Sequence, residues 1–411
     1  MAKSKKKKWI YFRHRLTKWL FWLPFYIWAK LRYRVSLPKF KDQKGRQFLI
    51  LMNHQTPFDQ FFLSFTFRGP VYFVATEDIF SLGWISSLLR FFLAPIPIRK
   101  QTADLSAVMN CLRVAKEGGT IALAPEGNRT YTGRTEYMNP AIAGLARKLG
   151  LPIALYRIEG GYGVQPRWAN TLRRGKMRAY VSEVIEPEAV KEMTDDELYA
   201  RICRGLFVDD NAETGTYRHG RRAEFLERAL YVCPYCGLSK LSSHRDTISC
   251  LKCGMEVEYT EDMTLVPRLG YRDHHVDFPF RTVAEWYDHQ CAFVGRRDSI
   301  PETDTPLYED TVKLSEVIVY ERKNLLAKQV RVSLFWNKLV LDGYGEEPMV
   351  LPFESISAIT ALGRTKINLY VDKQVYQLAG NERFCGLKYV NLHYRYTNMN
   401  KETYDGKFLG L

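Results

Sequence analysis

Short apolar runs alternate with stretches of helical period through the first half of this chain. Residues 48–52 (FLILM), 71–75 (VYFVA), 120–124 (TIALA) and 152–158 (PIALYRI) have the length and near-continuity of buried strands. Residues 177–185 alternate in the manner of a further sheet element. Between them, helices are predicted at about 58–67, 82–92, 105–116, 140–149 and 195–207, the third stopped by Gly118-Gly119 and the fourth by Gly150. Strands alternating with helices predict an α/β fold over residues 41–210, a mixed sheet layered by helices.

The text changes character after residue 210. Residues 211–229 open on a polar stretch (NAETGTYRHGRR) and are expected to be a linker. Residues 230–268 form a cysteine module, and 269–311 a connector with one helix near 283–290. Residues 312–395 are β-rich, with short apolar strands closed by a single helix near 383–394, and 396–411 form a tail. That order of strands and terminal helix resembles a pleckstrin-homology-like (PH-like) barrel, in which the last helix caps an open end. The resemblance is architectural and implies lipid-headgroup binding, peptide binding or simple packing without choosing among them. No tandem repeat is present.

Residues 1–40 follow neither pattern. The run 19–29 (WLFWLPFYIWA) is apolar and aromatic but holds Pro24 and only 11 residues, whereas a membrane-spanning helix needs about 20. Trp9, Trp19, Trp22 and Trp28 lie among eleven Lys or Arg within the first 34 residues, which contain no acid. Much of the net charge of +15 therefore sits at one end. Aromatic rings with flanking cations suit a segment lying in the headgroup layer of an anionic membrane surface. A signal peptide shares the basic-then-apolar order, but no small-x-small cleavage site follows. The apolar fraction of 46% excludes global disorder, and 411 residues suffice for more than one core.

Candidate chemistry appears where the first strand ends, at Asn53-His54-Gln55-Thr56-Pro57-Phe58-Asp59. A histidine beyond a buried strand faces the crevice in which open α/β sheets bind ligands. There it can take a proton from a hydroxyl while an aspartate at the next helix start fixes its tautomer. A second strand end, at residue 124, runs into Pro125-Glu126-Gly127-Asn128-Arg129-Thr130. Arg129 offers a planar fork for phosphate, Gly127 permits close backbone approach, and Glu126 is placed to orient that arginine or to bind an acceptor hydroxyl.

With these two blocks in order, residues 47–208 resemble the PlsC-type glycerolipid acyltransferases, typified by lysophosphatidic acid acyltransferase. His54 and Asp59 match that family's catalytic pair, and Glu126, Gly127 and Arg129 its acceptor-binding block; Asn53 is grouped with the substrate-binding residues. Phe80-x-Leu-Gly-Trp84 followed by Ile96-Pro97-Ile98-Arg99-Lys100 matches another block, with Arg99 or Lys100 in a phosphate-binding role. Pro152 opens the last (LPIALYRIEG). The sequence departs from the family at Asn128, where threonine is usual. The resemblance implies direct transfer of a fatty acyl group from acyl-CoA or acyl carrier protein to a lysophospholipid, the sn-2 hydroxyl of 1-acyl-glycerol 3-phosphate foremost. Glycerol 3-phosphate and an amino-acid lipid are the alternative acceptors. A noncatalytic membrane-associated adaptor is the alternative outside enzymes.

Cys233-Pro-Tyr-Cys236-Gly and Cys250-Leu-Lys-Cys253-Gly, thirteen residues apart, have the spacing of a zinc ribbon. Four thiolates suit a closed structural Zn²⁺ site, iron being the alternative. Such a site belongs in a reducing compartment, which together with the basic segment predicts a cytoplasmic protein peripheral on the inner face of the cell membrane. The module's mixed charge (Glu256, Glu258, Glu261, Asp262), without an aromatic and arginine platform, argues against nucleic acid as a partner.

Overall fold

The computed structural model describes residues 8–76, 79–80, 83–98, 105–212, 215–269, 278–318, 323–372 and 374–399. The chain divides into two compact units. The first is Met1–Arg129, Thr135–Gly161 and Lys176–Val208; the second is Thr130–Arg134, Tyr162–Gly175 and Asp209–Leu411.

The first unit is built on a seven-stranded sheet, with strands β1 (Val35–Ser36), β2 (Leu49–Met52), β3 (Val71–Thr76), β4 (Ile96–Ile98), β5 (Thr120–Leu123), β6 (Ile153–Glu159) and β7 (Met177–Ile185). Their order is β1-β7-β6-β2-β5-β3-β4. All neighbours are parallel except β6 and β7, which are antiparallel, so the sheet is mixed. The most central strand, β2, is buried at every position, as a continuous apolar run between two parallel neighbours requires.

Helices α1 (Phe12–Tyr33), α2 (Asp59–Thr66), α3 (Trp84–Phe92), α4 (Leu105–Lys116) and α5 (Ala141–Leu149) carry most of the crossovers and cover the sheet. One face packs Leu49, Leu51, Ile121, Ile153 and Leu155 under Val114 of α4, Ile142 and Ala146 of α5, and Leu198 and Ile202 of the helix Asp195–Leu206. On β6, Tyr156 carries its hydroxyl to Thr66 of α2 at 2.9 Å. Tyr33 of α1 meets Phe62 of α2 edge-on.

Helix α1 is longer than its apolar run, spanning 22 residues with Pro24 inside it. Its outward stripe is apolar: Phe12, Leu16, Trp19, Leu23, Ile27 and Leu31 are all exposed. The buried positions are His14, Thr17, Ala29 and Tyr33. Helix α3 repeats the inversion, with Trp84 73% exposed and Leu88, Phe91 and Phe92 also exposed, while Ser86 is buried. The two helices are adjacent, because the Arg13 Nε–H donates to the Phe91 carbonyl at 2.9 Å and its guanidinium lies over the Phe91 ring. Among the described residues no helix is long and apolar enough to cross a membrane.

The second unit holds the cysteine module and a curled antiparallel sheet. Strands β8 (Val232–Cys233) and β9 (Gly237–Leu238) form a short hairpin. Strands β10 (Leu241–His244), β11 (Thr247–Cys250), β12 (Glu256–Tyr259) and β13 (Leu265–Leu269) form a meander. Strands β14 (Tyr308–Glu316), β15 (Asn324–Leu334), β16 (Lys338–Asp342), β17 (Met349–Pro352), β18 (Ile356–Leu362), β19 (Lys366–Val371) and β20 (Gln374–Gly380) pair in the order β17-β16-β15-β14-β20-β19-β18. The helix Leu387–Met399 packs on this sheet, with His393 Nε2 2.8 Å from the Ile356 carbonyl.

The polar stretch after residue 210 is not a free tether. Tyr217 is buried, and its ring lies so close to Gly163, Gly175 and Gly215 that a Cβ on any of them would approach it within 2.6 Å. Phe225, Leu226 and Ala229 are buried as well. Nor does the segment Tyr162–Gly175 join the first unit's core: Trp168 is fully buried edge-on to Tyr259, and Arg173 lies over both rings.

Candidate active site

The parallel register sets the ends of β2, β5 and β6 side by side, since Leu51 pairs with both Leu123 and Leu155. The chain leaves β2 at Asn53. That residue's amide is spent on the neighbouring strand: Nδ2 donates to the Ile158 carbonyl at 2.8 Å and Oδ1 accepts the Ile158 N–H at 2.7 Å. The sequence grouped Asn53 with substrate-binding residues, but its side chain is buried and fastens the turn to β6.

His54 comes next, and its Nδ1 lies 2.8 Å from Asp59 Oδ2. The imidazole is 24% exposed while the aspartate is fully buried, so the ring's other nitrogen is the part able to meet a ligand. Asp59 is held by more than the histidine. Its carboxylate accepts the N–H groups of Gln55 at 2.8 Å and Thr56 at 3.0 Å, and the Thr56 hydroxyl at 2.6 Å. These donors keep it an acceptor aimed at Nδ1, which places the proton of neutral His54 on Nδ1 and leaves Nε2 with its lone pair. Gln55 Oε1 accepts the Gly161 N–H at 2.7 Å, an approach that leaves no room for a Cβ at residue 161.

The second motif forms a tight turn, with the Gly127 N–H donating to the Ala124 carbonyl at 3.0 Å and Gly127 in the left-handed region at φ +70°. Pro125 sits where such turns favour proline. Glu126 is 5% exposed. Its Oε1 accepts the His54 N–H and its Oε2 the Glu136 N–H, both at 2.8 Å. Burial pushes its carboxyl well above the usual range, the two N–H groups oppose that rise, and the charges of Glu136 and Asp59 add to it. Gly127 is exposed and Arg129 half-buried. Arg99 and Lys100 lie outside the described residues. Pro152 accepts the Leu49 N–H at 3.0 Å, which aligns β6 beside β2.

Residues 34–157 match the model of a family described as Acyltransferase. That match falls mainly in the first unit. His54 and Asp59, which the sequence paired, stand together within the matched residues. Among solved structures, the chain is similar to the 1-acyl-sn-glycerophosphate (LPA) acyltransferase PlsC from Thermotoga maritima, with 18% identity and a TM-score of 0.35, covering 47% of this chain and 91% of that one. No curated protein matches the sequence.

A second candidate site lies in the other unit. The Sγ atoms of Cys233, Cys236, Cys250 and Cys253 all fall within 4.8 Å of one another. Cys233 is 3.6 Å from both Cys236 and Cys253, and Cys236 is 3.9 Å from Cys250. A tetrahedral zinc–thiolate site with bonds of about 2.3 Å has sulfurs about 3.8 Å apart, so the donor set fits that ion. Burial raises the Cys233 thiol while the N–H groups of Tyr235 and Cys236 oppose it; at Cys250 burial also acts upward, but the N–H groups of Cys253 and Lys252, with the Cys253 and Cys233 thiols, lower it on balance.

Proposed function

We propose that this protein transfers a fatty acyl group from an acyl thioester, on coenzyme A or acyl carrier protein, to the free hydroxyl of a lysophospholipid. The acceptor hydroxyl is the sn-2 hydroxyl of 1-acyl-glycerol 3-phosphate. The observation that carries this reading is the His54–Asp59 pair at the open end of a parallel strand, buried on the aspartate side and accessible on the histidine side.

In this mechanism His54 Nε2 takes the hydroxyl proton as the oxygen attacks the thioester carbonyl. Asp59 keeps the other ring proton and stabilises the imidazolium as it forms. The C–S bond then breaks, the new ester C–O bond remains, and the departing thiolate receives the proton held by His54. Arg129, with Arg99 or Lys100, holds the acceptor phosphate and fixes the hydroxyl beside Nε2.

Substrates of this kind reside in membranes, and the exposed apolar stripes of α1 and α3 support a peripheral position on an anionic leaflet, on the inner face of the cell membrane. Exposed Arg15 and Arg32 on α1 and Arg90 on α3 supply attraction to such a surface. The four cysteines would hold a structural Zn²⁺ whose closed thiolate shell leaves no position for substrate.

The test is acyl transfer by the purified full-length protein in phospholipid vesicles, with lysophosphatidate and either acyl-CoA or acyl carrier protein as donor. Product formed by the wild type and lost in His54→Ala supports the reading and identifies the donor. Absence of product with both donors and across an acceptor series would overturn it in favour of an adaptor.

A further inference from the structure

We infer that Glu126 is a positioning residue for the general base, holding the backbone of His54 and leaving the acceptor to other side chains. Only the kinetic arm of its test rests on the acyl-transfer reading above.

Three consecutive N–H groups, those of His54, Gln55 and Thr56, end on buried carboxylates. Beyond the end of β2 no strand ladder exists to receive them, and a buried N–H without an acceptor is strongly unfavourable. Asp59 supplies two of the three from within the same turn. Glu126 supplies the first, from the loop after the neighbouring strand β5, so it ties the turn to the sheet on one side as Asn53 ties it to β6 on the other. The histidine is therefore fixed by its own backbone N–H as well as by its ring.

Each Glu126 oxygen already accepts a backbone N–H, and the residue is buried, so it meets the protein rather than a hydroxyl in the cleft. The same arrangement commits the amides of residues 54–56, so the donors that receive the thioester's developing oxyanion come from elsewhere. A glutamine at 126 has one acceptor oxygen and one NH₂ group. It can serve one of the two N–H groups and must set donor against donor at the other.

Kinetics and amide exchange of the full-length protein test this. Glu126→Gln is expected to lower kcat by about 100-fold, the scale of a small misplacement of a catalytic group, with the KM for lysophospholipid and for thioester within about threefold of wild type. A rise of the acceptor KM by about tenfold or more with kcat retained would make Glu126 an acceptor ligand and overturn the inference, as would unchanged kcat and KM. In the wild type, the amides of His54 and Glu136 lie outside helices and strands. Hydrogen exchange read at single residues should nonetheless find both protected, and Glu126→Gln should release at least one. Wild-type amides that exchange like exposed loop amides would overturn it without any activity measurement, including where the variant does not fold. A wild type that transfers no acyl group but protects both amides would overturn the function and leave this positioning role standing.

Discussion

The histidine site and the cysteine site are organised on opposite principles. Cys233 and Cys253 span 21 residues, and two short knuckles bring all four sulfurs together with amides from their own turns. The histidine site is closed locally only in part, by Asp59 on the ring of His54 and the N–H groups of Gln55 and Thr56. Its turn is held by Ile158, 105 residues from Asn53, and by Glu126, 72 residues from His54. In the proposed reading, the first arrangement would be completed by an ion and would serve the fold around it. The second is completed by the sheet, which leaves one imidazole nitrogen uncommitted among the described residues. A site closed on itself stabilises; a site closed by its surroundings retains a group for chemistry.

The largest effect that would sharpen this contrast is the loss of the base. His54→Ala should reduce acyl transfer on the order of 10⁴-fold, the upper range for general base catalysis, with an unchanged melting temperature. Asp59→Asn should reduce turnover by about 10²–10³-fold. It should also lower the melting temperature, because the new NH₂ group must face the N–H of Gln55 or Thr56 in a fully buried place. A melting temperature unmoved by Asp59→Asn would break the comparison, since it would mean that the carboxylate serves only the ring.

The cysteine site should behave in reverse. One zinc per chain is expected by elemental analysis, and Cys250→Ser or chelation should lower the melting temperature by about 5–10 °C, a few kcal/mol for a unit of this size. The kcat per folded molecule should stay unchanged. A direct loss of kcat on chelation, with the fold intact, would erase the distinction. The smallest effect concerns the membrane face: Trp19→Ala combined with Trp84→Ala should weaken binding to anionic vesicles by about tenfold, from lost burial of two rings. Turnover on a short-chain, water-soluble acceptor should be unaffected.

Legibility in the sequence followed the range of the interactions. The strands at 49–52, 120–123 and 153–159 and the four cysteines could be read because apolar runs and Cys-x2-Cys spacings are local signals. His54 and Asp59 are five residues apart and were equally visible. Asn53 and Glu126 were noticed, but their partners were not. Nothing near Asn53 indicates that its amide is spent on Ile158, and nothing near Glu126 points to His54 and Glu136. The outward stripe of α3 was missed for another reason. Helical periodicity shows that Trp84, Leu88 and Phe91 share a face, but not whether that face turns to the core or to the outside. Pro24 obscured the full length of α1, because proline usually ends a helix and here it does not.

The division of the chain into units bears on how this protein can be inherited. Modules joined end to end need one passage between them. Here the backbone passes at 129/130, 134/135, 161/162, 175/176 and 208/209. A gene truncated after residue 208 would still encode Tyr162 and Trp168, both fully buried against partners it had lost. Recombination that exchanged the C-terminal half for another would meet the same obstacle. Residues 130–134 and 162–175 belong with the cysteine-bearing unit, so a shortened gene would have to lose or replace them as well.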